Sequence, residues 1–229
     1  MSDSTEKLSP LQLAELMASK LCHDLVGPVG ATANGAELLA DMTMEDEALA
    51  LTSASANQAT RILQYYRLAF GASGALRNDY DELRSVAEGW LKLRDLNLTW
   101  NLDAAEDVPL GATKLLANLI GVAAEALPRG GEVEGGIRSE DGMAVVYARA
   151  AGNGAQFRSE ALGALDPASH EELTPRGVQA YYAAVLAVSL GGSLTQNGGD
   201  SEVLLQAHLP VHHRTGLRFP GRWPIFLCE

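Results

Sequence analysis

Leu21-Cys22-His23-Asp24-Leu25-Val26-Gly27-Pro28 is the stretch on which the reading of this chain turns. A histidine is followed at once by an acidic residue and, five positions on, by a proline. Around it Leu13, Leu16, Met17, Leu21, Leu25 and later Leu38 and Leu39 recur at three- and four-residue intervals, the period of one buried helical face. His23 therefore stands in mid-helix. An imidazole has an ordinary pKa of about 6.5, so it is a neutral nucleophile near pH 7. A neighbouring carboxylate can bond the ring, help set its tautomer and accept its proton. The proline removes a helical hydrogen bond and is expected to kink the helix at Gly27-Pro28, letting the segment reposition. A lone helical histidine is more often an ordinary surface residue than a nucleophile, so its context has to decide.

Upstream, Ser9-Pro10-Leu11-Gln12 combines an N-cap serine, a proline at the first helical position and a glutamine three residues after the cap. Downstream the chain turns polar from Asp41 to Asp46. Thr43 can cap a second helix with Asp46 in its first turn, and the acidic Glu45-Asp46-Glu47 suits a solvated helix start. That helix carries Leu49, Thr52, Ala56, Ala59, Ile62, Leu63, Tyr66 and Phe70 and is expected to stop at Gly71. Residues 9–71 thus read as an antiparallel helical hairpin. Its apolar stripes are too wide for two helices to bury. The economical partner is a second copy, giving a homodimeric four-helix bundle in which Tyr65, Tyr66 and Phe70 serve as core and dimer contacts.

Residues 72–78 are a short linker of small and polar residues, after which helices and strands alternate. The pattern predicts helices over Asp81–Leu96, Gly111–Leu127 and Val178–Leu190. It predicts strands over Leu98–Leu102, Glu132–Ser139, Met143–Arg149, Ser193–Gln196 and Glu202–Leu209, with a loop around Gly152-Asn153-Gly154. This is an α+β layer with helices on one face of a mixed sheet, spanning 79–210. Residues 1–8 are an N-terminal tail. Residues 211–229 are a C-terminal tail whose His212-His213 pair lacks the Cys or carboxylate spacing of a metal site.

The 229 residues are 47% hydrophobic and 20% charged, enough to bury a core. Seventeen Lys and Arg stand against 29 Asp and Glu, a net charge of −12. That argues against nucleic acid as a partner, because binding it needs a basic face. Cys22 and Cys228 cannot form a disulfide framework, and Cys22 reads as a small packing residue. No apolar run approaches the roughly 20 residues of a membrane span, and the N-terminus lacks the features of a signal peptide. A cytoplasmic protein with no membrane segment is expected.

The spacing His23, Asp24, Pro28 on the first helix of a hairpin resembles the phospho-accepting box of sensor histidine kinases, and the order of elements downstream resembles their ATP-binding domain. The resemblance covers most of residues 9–210 and fails at three places. Val122 stands where those kinases hold magnesium with an asparagine, in Leu115-Leu116-Ala117-Asn118-Leu119-Ile120-Gly121-Val122-Ala123. Ala150 stands where an aspartate pairs with adenine, in Ala150-Ala151-Gly152-Asn153-Gly154. Gln179 replaces the second glycine of a phosphate-wrapping run, in Gly177-Val178-Gln179-Ala180. A valine cannot hold a metal, an alanine cannot accept the adenine hydrogen bond, and a glutamine side chain blocks close backbone approach. The resemblance thus implies a fold that was kept and an ATP site that was lost.

A kinase-like hairpin with an intact box and a degenerate ATP domain resembles the ChpT-type histidine phosphotransferases, and Asn34-Gly35-Ala36-Glu37-Leu38-Leu39 fits them too. The resemblance implies a dimeric relay protein that takes a phosphoryl group from the receiver domain of a hybrid kinase and passes it to that of a response regulator. His23 would carry the group and Asp24 would orient the ring. Lys20 would lie near the incoming phosphoryl group, and Gly27 and Pro28 would help position the partner. No cofactor is expected on this chain, and magnesium would sit on the receiver. The downstream domain is expected to bind no ATP and to serve as a second docking surface. The rival is a catalytically inert kinase-like module that inhibits or scaffolds a histidine kinase or response regulator. A divergent kinase is a third reading, against which the three losses count.

Overall fold

The computed structural model describes residues 8–40, 45–72, 78–103, 108–166 and 173–211. Thr43, most of the 72–78 linker and the His212-His213 pair lie outside the described residues.

Helix α1 (Pro10–Ala40) begins as its capping residues dictate. The Ser9 backbone N–H donates to Gln12 Oε1 at 2.9 Å, and the Gln12 N–H donates to Ser9 Oγ at 3.2 Å. Two of the helix's orphan donors are thereby satisfied reciprocally. Pro28 does not end the helix. Its missing N–H deprives only the Asp24 carbonyl of a helical partner, and the ring is buried. Helix α2 (Glu45–Ala69) opens on three acidic residues, which favour its positive N-terminal dipole. The two helices pack closely at Gly35, where a Cβ would lie 2.3 Å from Thr52 Oγ1 and 3.2 Å from the Ala48 carbonyl oxygen.

The second half follows the expected alternation with shifted boundaries. Helix α3 (Tyr80–Leu91) is capped by Asp79, whose side chain accepts from the Glu82 N–H at 2.9 Å. A 3-10 turn over Lys92–Arg94 and a left-handed Asp95 (φ 55°) then swing the chain into β1 (Leu96–Leu102). The helix expected to reach Leu96 ends at Leu91. The apolar spacing of Leu91, Leu93 and Leu96 serves turn and strand as well as helix, so periodicity alone could not place the boundary. Helix α4 (Ala112–Glu125) is followed by β2 (Gly131–Glu140) and β3 (Met143–Ala151), joined by Asp141-Gly142, both at positive φ. Such two-residue turns match the twist of their strands. Helix α5 (Ser159–Ala164), for which the sequence pattern predicts no element, precedes α6 (Val178–Ser189), β4 (Ser193–Gly199) and β5 (Glu202–Pro210).

The strands form one mixed sheet in the order β1-β2-β3-β5-β4, with β1 and β2 parallel and the other pairs antiparallel. Val133, Ala150 and Val203 are register partners on the buried face, as are Ile137, Val146 and Ala207. The α+β architecture expected from the sequence is the one observed. At its centre lies α4, whose residues from Ala112 to Ala124 are all buried. Leu115, Leu116, Leu119 and Ile120 are completely enclosed, each contributing about 1.5–3 kcal/mol of burial.

The same core takes in the end of the hairpin. Ile62, Tyr65, Tyr66, Leu68 and Ala69 of α2 belong to one continuous cluster with α3 and α4. Tyr65 stacks on Trp90 with centroids 3.9 Å apart, and Arg94 lies 3.9 Å from the Trp90 centroid. Tyr65 and Tyr66 are core residues, as expected, and the core they enter also fastens the hairpin to the α+β domain. Among the described residues no helix is long and apolar enough to cross a membrane.

Candidate phosphotransfer site

His23 is held on the outer side of α1 with its side chain 79% exposed. The next residue, Asp24, is turned inward and is 19% exposed. Adjacent helical residues differ by about 100° in direction, since a turn takes 3.6 residues. That rotation lets the carboxylate reach the imidazole with one oxygen and the interior with the other. Asp24 Oδ1 is 3.0 Å from His23 Nδ1. Asp24 Oδ2 accepts a short hydrogen bond from the Tyr66 hydroxyl and lies 3.7 Å from Lys20 Nζ.

Burial works against the Asp24 charge. The hydrogen bonds from Tyr66 and His23 and the nearby charges of Lys20 and Arg94 outweigh it and hold the carboxyl below its ordinary pKa. The phenol of Tyr66 moves the other way, driven far above the ordinary tyrosine value by burial and by the Asp24 charge. Asp24 is therefore an acceptor and Tyr66 a donor at any physiological pH. A carboxylate can only accept, so Nδ1 carries the ring proton and the lone pair belongs to Nε2.

Lys20 is buried, with its side chain 8% exposed, and its Nζ lies 2.6 Å from Glu125 Oε1 at the end of α4. It faces the carboxylate cluster and not the solvent on the histidine side. Gly27 has open space where a Cβ would stand, whereas Pro28 is buried. The structure thus brings Lys20, His23 and Asp24 together and adds two residues that the sequence reading missed. Tyr66 had a faint signal, being a polar aromatic near the end of the antiparallel partner helix. Glu125, 105 residues from Lys20, had none.

The three positions of the degenerate nucleotide site are occupied by protein. Ala150 is enclosed in the sheet–helix core. Gln179, 1% exposed, directs its amide at Gly121, where a Cβ would lie 2.2 Å from Nε2. Val122 lines a cleft with Glu125, Phe157, Arg158, Ala161 and Arg176. At the start of α6, a Cβ on Gly177 would meet the Glu160 carbonyl oxygen at 2.7 Å and the Ala164 Cβ at 3.2 Å. Helix α5 is packed where a phosphate would need to reach the α6 amides. Among the described residues, Val122 and Ala150 present no side-chain ligand at these positions and Gln179 fills the space beside Gly121.

Residues 80–202 match the family described as histidine phosphotransferase C-terminal domain. The protein phosphotransferase ChpT of Brucella abortus (strain 2308) is 32% identical over 206 residues, which cover 87% of this chain and 97% of that protein. A solved structure of a bacterial phosphotransferase superposes with a TM-score of 0.76 at 30% identity, over 87% of this chain and 97% of its own. Both matches run over nearly the whole length of these relatives, and with the family match over the second half the chain belongs to the ChpT-like histidine phosphotransferase family.

Proposed function

We propose that the protein relays phosphoryl groups between receiver-domain aspartates through a phosphohistidine at Nε2 of His23. The observation that carries this is the pairing of Nδ1 with Asp24 on a ring that is otherwise open to solvent. In the forward half-reaction Nε2 attacks the phosphorus of an aspartyl phosphate. The P–N bond forms as the P–O bond breaks, and the electron pair returns to the receiver's carboxylate. The ring then carries a positive charge on its Nδ1–H side, where Asp24 lies. Positioning and charge neutralisation supply most of the catalysis in such transfers. Magnesium would be held by the receiver. The reverse sequence delivers the group to a second receiver, so a hybrid kinase as donor and a response regulator as acceptor fit the chemistry.

The reading extends to three further features. The filled pocket around Val122, Ala150 and Gln179 supports a transferase without ATP-dependent kinase activity. Exposed Leu49 and Leu63, 14 residues apart on α2, and exposed Leu11, Val26 and Val29 on α1 support a homodimer built as a four-helix bundle. The α+β domain, joined to α1 through Lys20 and Glu125, would supply a second docking surface for the receiver. A cytoplasmic location accords with the partners. An inert inhibitor would need neither the exposed imidazole nor its oriented carboxylate.

The test is incubation with a phosphorylated receiver domain. Label should move to this chain and survive alkali, as a phosphoramidate does. His23→Gln should abolish labelling while helicity is retained, and label on that variant would overturn the assignment.

A further inference from the structure

The cluster behind His23 spans three separate parts of the chain. Tyr66 comes from α2, Lys20 and Asp24 from α1, and Glu125 from the end of α4. Their bonds are directional. Tyr66 donates to Asp24 Oδ2, and Lys20 Nζ stands 3.7 Å from the same oxygen while bonding Glu125 at 2.6 Å. Both interior donors therefore engage one carboxylate oxygen and leave Oδ1 directed at His23 Nδ1. Without them the Asp24 side chain is free to turn about its two torsions, and an exposed imidazole could not by itself hold it in place.

We propose that Tyr66 and Glu125 are positioning residues of the phosphotransfer reaction, Tyr66 by holding Asp24 Oδ2 directly and Glu125 by holding Lys20 against it. The proposal rests on the relay reading above and gives the α+β domain a part in the chemistry itself. The end of α4, beside a pocket that no longer fits a nucleotide, fixes the orientation of the carboxylate that supports His23. The lysine's partners leave it little freedom to follow an incoming phosphoryl group. Its role is to balance Asp24 and Glu125.

Transfer rates from a phosphorylated receiver to the full-length protein decide the matter, measured across receiver concentrations. Tyr66→Phe keeps the ring and its stack on Phe70, whose centroid lies 5.1 Å away, and removes only the hydroxyl. It should lower the saturating rate roughly tenfold, the equivalent of one hydrogen bond to a charged group. The half-saturating receiver concentration should stay unchanged. Glu125→Gln, nearly isosteric, should lower the same rate by roughly threefold to tenfold. In an Asp24→Asn background neither substitution should lower the rate further, because both act through Asp24. A structural role would give the same loss in both backgrounds, and that result would overturn the proposal. So would full rates in the single variants, or a change confined to receiver affinity. If the unsubstituted protein takes no label on His23, the relay reading fails first. If it is labelled and the variants match it, only the positioning proposal fails.

Discussion

Asp24 is bonded from two sides, and the consequences are separable. Towards the solvent it steadies an imidazole. Asp24→Asn should therefore slow transfer by roughly 10²- to 10⁴-fold while changing receiver affinity little, as read from single-turnover rates and from titration with unphosphorylated receiver. Towards the interior it contributes to stability in a pH-dependent way. An aspartate's ordinary pKa is about 3.9, and in the fold it is held lower. Such a group stabilises the native state above pH ~4 and loses that contribution as pH falls through its native pKa. The stability gap between the unsubstituted protein and Tyr66→Phe should thus be full at pH 6 and should close below about pH 4. Urea midpoints across that range check it, and a gap that is constant or widens in acid would refute the assignment.

At the scale of elements, two close approaches govern the architecture. Helices α1 and α2 touch at Gly35, where the Thr52 hydroxyl and the Ala48 carbonyl leave no room for a methyl group. Gly35→Ala should gain a little helix propensity but force the helices apart, for a net loss of about 1–3 kcal/mol visible in thermal melts. The second approach is that of α5 to the start of α6 at Gly177. Because α5 packs against the start of α6, calorimetric titration with ATP at millimolar magnesium should give no saturable heat. Saturable binding would mean that α5 swings away, and the account of the filled pocket would fail.

For the whole molecule, the shared core makes the hairpin and the α+β domain one folding unit. A fragment ending at Gly71 would expose Tyr65, Tyr66, Leu68 and Ala69, all buried in the full chain. That fragment should be less helical than its share of the intact protein, by circular dichroism, and should transfer phosphoryl groups poorly. The proposed dimerisation therefore has its test in the full chain. Leu49→Glu with Leu63→Glu places charges on an exposed apolar seam of α2. The double variant should sediment as a monomer with its helicity kept, whereas the unsubstituted chain at micromolar concentration should sediment as a dimer.

Local chemistry made much of this protein legible from its residues. The Ser9-Gln12 capping box, the Asp141-Gly142 turn and the alternating strands act over a few residues, so their outcome is written in neighbouring positions. His23 and Asp24, adjacent on one helix, were legible for the same reason. Helix α5 was not, because six residues offer too little periodicity to separate a helix from a loop. The inward bonds of Asp24 were not legible either. Tyr66 lies 42 residues from it, and Glu125 lies 105 residues from Lys20. Which polar groups meet at such separations depends on how α2 and α4 pack into a common core. The sequence alone determined that His23 and Asp24 stand side by side on one helix. Only the tertiary structure decided what holds Asp24 in place, because a buried carboxylate must find its donors wherever packing brings them.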